Sequence, residues 1–168
     1  MSSAIEQARS LIDLAQTSLN SALSHLKAGA LENGRVSGSK LDEKQLACYE
    51  LAYCEAEITA ANVMLDYSQK VRADKGGSDE LRIEEALALQ YSAEALQNTR
   101  ARFNTRRGDY GFSRDQLANT LDSDTVDDFI NLYLSTEKLE AVGKSILNNE
   151  GYVGEYMLDD EKEMMRDS

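Results

Sequence analysis

The chain has 168 residues, 42% of them hydrophobic, which suits one domain with its own core and excludes a wholly disordered polymer. Its net charge of −12 leaves no basic surface for a nucleic-acid backbone or an anionic membrane, and no apolar run approaches the roughly 20 residues that span a bilayer. There is no proline, which favours long unbroken helices.

The first residues, Met1 to Gln7, show no charged-then-apolar signal layout, so the expected location is cytoplasmic. Ile5, Ala8, Leu11, Ile12, Ala15, Leu19, Ala22, Leu23 and Leu26 recur at steps of three and four, which predicts an amphipathic helix over 4–28. Gly29, Asn33, Gly34 and Gly38 then predict a loop. A second helix is expected over 41–75, with its apolar stripe on Leu46, Tyr49, Tyr53, Ala56, Ala60, Val63, Tyr67 and Val71. Lys75-Gly76-Gly77 supplies its stop. Cys48 and Cys54 sit six residues apart on that helix and so point to different sides, which predicts reduced thiols and no disulfide between them.

Ser78 or Asp79 is a candidate cap for a third helix over 79–106. Its middle, Ala86 to Ala93, is apolar on most sides, as expected of a helix placed centrally in a bundle. A fourth helix is expected over 124–148, with a stripe of Phe129, Tyr133, Thr136, Leu139, Val142 and Ile146. No strand-like alternation competes. The expected fold class is therefore all-α, an antiparallel up-down four-helix bundle over 1–150. Residues 151–168 form an acidic tail, and the stretch 116–168 carries a net charge of −9.

Chemistry-bearing residues are few. His25 is the only histidine, with Ala22 three residues before it, so the Glu-x-x-His pairs of bundle di-iron centres are excluded. Two divergent cysteines and a distant histidine do not make a zinc site. No catalytic residue and no metal ligand is expected. Glu55, Glu57, Glu84, Glu85 and Glu94 are general bases only if buried beside a ligand; solvated carboxylates are the plainer reading. Arg100, Arg102, Arg106, Arg107 and Arg114 form the one basic concentration. They could meet a phosphate, or could offset a helix dipole and pair with the acidic tail or a partner chain.

Gly108-Asp109-Tyr110-Gly111-Phe112-Ser113-Arg114-Asp115 resembles the Gly-Gly-Tyr-Gly-Tyr-Thr-Arg-Asp turn of acyl-CoA dehydrogenases, which follows the third long helix of their C-terminal four-helix domain. Gln45 and Leu46 to Ala52 resemble the opening of that domain's preceding long helix. Met157 to Ser168 is similar to the acidic Leu-x-x-Glu-x-x-x-x-Arg-Asp helix that begins the family's N-terminal domain. The resemblance implies an acyl-CoA dehydrogenase C-terminal-domain-like bundle fused ahead of a flavoprotein that oxidises acyl-CoA thioesters with FAD.

The β-rich middle domain and the Tyr-Glu-Gly-Thr segment that carries the base in many members have no counterpart here. The implied role is thus a non-catalytic structural or oligomerisation domain, with no cofactor of its own and FAD belonging to the parent chain. The alternative is a bundle that still binds FAD or acyl-CoA, with Arg106, Arg107, Gly108, Tyr110 and Gly111 as cofactor-binding residues. A further alternative is an unrelated α-helical interaction protein. The implied partners are the remainder of the dehydrogenase chain and a second copy, because the family's bundles associate through helix faces as dimers.

Overall fold

A computed structural model describes residues 3–76 and 81–154. The candidate caps Ser78 and Asp79 and the tail over 155–168 lie outside the described residues. Among those described, the chain is all-α apart from one short ribbon. No described helix is long and apolar enough to cross a membrane.

Helix α1 (Ser3–Gly29) buries the predicted stripe from Ile5 to Leu26, with the exception of Leu23, which turns outward. Three of its core positions, Ala8, Ala15 and Ala22, are alanines, which let neighbouring backbones approach closely. The expected loop instead contains an antiparallel ribbon of β1 (Leu31–Glu32) and β2 (Arg35–Val36). Asn33 and Gly34 join the strands with φ of 51° and 78°, the two positive values that a tight two-residue hairpin requires. A five-residue helix, α2 (Gly38–Asp42), follows.

Helix α3 (Gln45–Lys75) therefore starts later than position 41. It faces the core through Ala47, Leu51, Cys54, Ile58, Ala61, Leu65, Ser68 and Val71. Apart from Val71, the stripe expected there is not the buried one. Leu46, Tyr49, Tyr53, Ala56 and Val63 are exposed, and Ala60 and Tyr67 are half-buried. The helix stops at Gly76, whose φ of 68° fits the expected glycine ending.

Helix α4 (Ile83–Thr105) buries a wide face, from Glu84 and Ala88 through Leu96 to Phe103. It packs against α1, α3 and the last two helices among the described residues, the central position its apolar middle predicts. Short α5 (Arg114–Ala118) leads into α6 (Asp124–Tyr133) and α7 (Thr136–Asn148). The single helix expected over 124–148 is thus two. Leu134 ends the first, and Ser135 caps the second, its hydroxyl accepting from the Lys138 backbone N–H at 3.3 Å. Phe129 and Tyr133 are buried as expected, whereas Leu139 is exposed.

Polar links set the directions. Arg9 reaches Asp66 at 2.8 Å and Gln16 reaches Glu55 at 2.9 Å, so α1 and α3 are antiparallel. Arg72 pairs with Glu85 and Arg102 with Glu57, so α3 and α4 are antiparallel too. Arg100 to Asp127 at 2.8 Å and Gln90 to the Lys138 carbonyl at 3.0 Å run α6 and α7 back along α4.

Candidate functional site

The turn after α4 is built by its own hydrogen bonds. Asp109 and Tyr110 donate their backbone N–H groups to the Arg106 carbonyl at 2.9 and 3.2 Å, and Phe112 donates to the Arg107 carbonyl at 3.0 Å. Ser113 then caps α5 reciprocally. Its N–H donates to Gln116 Oε1 at 2.7 Å, and its hydroxyl accepts from the Gln116 N–H at 3.1 Å.

This closure drives Tyr110 inward. Its ring is 1% exposed and lies 5.0 Å from that of Phe103, with Phe112 5.5 Å from the same ring. Its hydroxyl donates to Glu50 Oε2 at 2.8 Å. Arg106 Nε lies 2.9 Å from the same oxygen, an ion pair whose N–H is not aligned as a hydrogen bond. Burial, and then donation to the Glu50 carboxylate, pushes the Tyr110 phenol well above its ordinary range.

The five candidate residues part ways here. Arg106 and Tyr110 converge on Glu50. Gly111 has φ +75° and backs onto His25, where a Cβ would collide with the imidazole ring. Gly108 does not end the helix in the left-handed conformation: its φ is not positive, and Arg106 (φ −118°) caps the helix instead. The left-handed residue is Gly111, because the chain must reverse there to lay Tyr110 and Phe112 on Phe103. Arg107 contributes its carbonyl to the turn. Gly108 lines a cleft of about 270 Å³ with His25, Lys40, Lys44 and Asp109, below the about 300–1,000 Å³ usual for small-molecule sites. Lys44 and Asp109 pair across it at 2.7 Å.

Three of the five arginines are paired among the described residues. Arg100 pairs with Asp127, Arg102 with both oxygens of Glu57, and Arg106 with Glu50. The Arg102 guanidinium also lies 5.8 Å from the centre of the Tyr53 ring and donates to Cys54 Sγ at 3.7 Å. Cys54 is buried and Cys48 half-buried, and both are free thiols. Burial raises the Cys54 thiol above its ordinary range against the opposing pull of Arg102, which suppresses the reactive thiolate.

Glu84 and Glu85 meet the first half of the condition set for a general base, since both are buried. Burial pushes the Glu85 carboxyl up, but the Arg72 guanidinium and the Arg82 backbone N–H (2.9 Å) outweigh it and hold it below the usual glutamate range. Such a carboxylate is a weak base at neutral pH. Glu84 meets Arg82 Nε at 3.2 Å and accepts from the Tyr152 hydroxyl at 3.4 Å. These residues tie the segment after α7 to the start of α4. Sequence reasoning missed Arg72 and Tyr152, since their partners lie 13 and 68 positions away.

No group of three or more histidine, cysteine, aspartate or glutamate side chains among the described residues is arranged to hold a metal ion. No protein-family model matches the chain. No curated protein matches it either.

Proposed function

We propose that the chain is a non-catalytic helical module, an antiparallel four-helix up-down bundle in which α6 and α7 together make the fourth member. Its role in this reading is structural and associative. The likeness of the Gly108–Asp115 turn and of the 157–168 segment to acyl-CoA dehydrogenases makes such a flavoprotein the proposed parent, with FAD and acyl-CoA oxidation belonging to the rest of that chain.

The supporting observation is the use made of the turn. A cofactor cradle needs donors aimed outward at a phosphate or a ring edge. Here the Tyr110 hydroxyl and the Arg106 guanidinium are both directed at Glu50, and Gly111 is closed off by His25. These residues do not fit a flavin without first being released from the core. A ligand would have to replace a charge-assisted hydrogen bond and an ion pair before gaining any contact of its own.

The test is a titration of the purified chain with FAD and with a medium-chain acyl-CoA, together with a dye-coupled oxidation assay. The expected outcome is a colourless protein, no saturable binding and no activity above background. A flavin absorbance band that copurifies, or saturable binding lost in Tyr110→Phe, would establish the cofactor-binding reading instead.

A further inference from the structure

We propose that the outward face of α3 is a self-complementary seam that joins two copies of this chain, α3 against α3, in antiparallel register; this rests on reading the domain as an association module. The face comprises Leu46, Tyr49, Tyr53, Ala56, Ala60, Val63 and Tyr67, spaced alternately by three and four residues. That alternation keeps a stripe on one side of a helix and is the pattern of helix-to-helix seams. It is offset by about one residue, roughly 100° round the helix, from the positions with which α3 meets the core. Leu46 is 54% exposed, Tyr49 58%, Tyr53 47% and Val63 61%, large values for side chains of this size. None of the seven is charged, in a chain with a net charge of −12.

The order of sizes along the stripe selects a second copy as its occupant. Two antiparallel α3 helices crossing at the level of residue 58 set Ala56 against Ala60 of the second copy. They set Tyr53 against its Val63, and Tyr49 against its Tyr67. Small residues meet at the centre, where backbones approach most closely, and large ones meet at both ends. Tyr49 and Tyr53 are already organised for this. Their hydroxyls are 3.0 Å apart and their rings 4.7 Å, so one end of the stripe is a preformed aromatic platform.

Electrostatics point the same way. In this register Glu50 would face Asp66 of the second copy, a like-charge contact if both were bare. Each has its own arginine: Arg106 lies 2.9 Å from Glu50, and Arg9 lies 2.8 Å from Asp66. Glu57, also along the edge, is held by Arg102. These three carboxylates are each paired within their own copy, so they neither repel a second acidic molecule strongly nor offer much to a basic partner. The exposed Lys70 meets Leu46 of the second copy in this register.

The stripe runs 22 residues, from Leu46 to Tyr67, roughly 32 Å of helix about 10 Å wide, or about 300 Å² in projection. A standard stable interface buries about 800 Å² on each partner. The dimer is therefore weak and concentration-dependent, dissociating in the micromolar range or above.

Sedimentation of the whole chain from about 1 μM to about 1 mM spans that range. The average mass should rise above the 18.6 kDa of one copy as concentration increases. Val63→Glu, which changes a side chain that does not touch the core, should hold the mass at one copy throughout, with an unchanged circular dichroism spectrum. Leu147→Glu, on α7, should dimerise as the parent does.

Register is read separately in a Cys48→Ser background by mixing Ala56→Cys and Ala60→Cys chains under oxidising conditions. Mixed 56–60 disulfides should dominate over 56–56 and 60–60. A single-copy mass at about 1 mM, an undiminished dimer in Val63→Glu, or a majority of like-with-like disulfides would each overturn the proposal. None of those outcomes touches flavin or acyl-CoA binding, which decides the reading of the module as non-catalytic.

Discussion

The turn at Gly108–Ser113 and the outward face of α3 exchange the roles that their residue types suggest. The turn carries a tyrosine and glycines beside two arginines, the vocabulary of a cofactor site, and its tyrosine disappears into the core. The α3 stripe carries leucine, valine, alanine and tyrosine at helical spacing, the vocabulary of a core, and it faces solvent. Tyr110 and Tyr53 show why. Tyr110 has Phe103 against its ring and Glu50 at its hydroxyl, so both its apolar and its polar parts are satisfied inside. Tyr53 has only Tyr49 along the helix and the Arg102 guanidinium near its ring, and its surface stays open. Residue type proposes a role; the partners that the rest of the chain brings within reach decide it.

The contrast breaks most sharply at Tyr110. Tyr110→Ala empties a fully enclosed site and should destabilise the fold by about 3–5 kcal/mol, the usual range for removing a buried ring, as measured by chemical denaturation. Tyr110→Phe keeps the ring and removes only the donation to Glu50, with an expected loss of about 1.5–3 kcal/mol. The phenol's native value lies above its unfolded one, so its contribution is present below about pH 10 and fades as the pH rises beyond that. Thermal midpoints of the parent and of Tyr110→Phe should therefore converge on alkalinisation.

Glu85→Gln keeps the shape but weakens the pair with Arg72, and should cost about 1–3 kcal/mol at pH 7. Here the native value lies below the unfolded one. The contribution is present above about pH 4 and is lost as the pH falls through the native value, so parent and variant should converge in acid instead. Gly111→Ala forces a positive φ on a residue with a Cβ and displaces the His25 ring, with an expected cost of about 1–2 kcal/mol. Tyr53→Ala, at the solvent end of the comparison, should cost less than about 1 kcal/mol.

Much of the helical order was legible because α1 has a single apolar stripe. Ile5 through Leu26 can be buried in only one way, and Leu23 alone departs from it. Helix α3 has two interleaved stripes one residue out of step, both spaced by threes and fours, and spacing cannot rank them. Composition could have done so. The inner stripe holds the large aliphatics Leu51, Ile58 and Leu65, while the outer one holds three tyrosines, whose hydroxyls favour a wet surface.

Two local signals also went unread. Asn33-Gly34 between Leu31-Glu32 and Arg35-Val36 is a hairpin turn in four-letter context, and Ser135 ahead of Thr136 is a helix cap inside an otherwise continuous stripe. In the turn, the left-handed residue is Gly111 and Tyr110 runs inward. Glu50, its acceptor, lies 60 positions earlier on another helix, and nothing local announces it.

The account's central claim is that Tyr110 belongs to the core and Tyr53 to the surface. Urea denaturation of Tyr110→Ala and Tyr53→Ala side by side, at a concentration low enough to keep single copies, tests it most directly. The account predicts a large fall in the unfolding midpoint for Tyr110→Ala and almost none for Tyr53→Ala. Equal losses, or an unchanged midpoint for Tyr110→Ala, would contradict it.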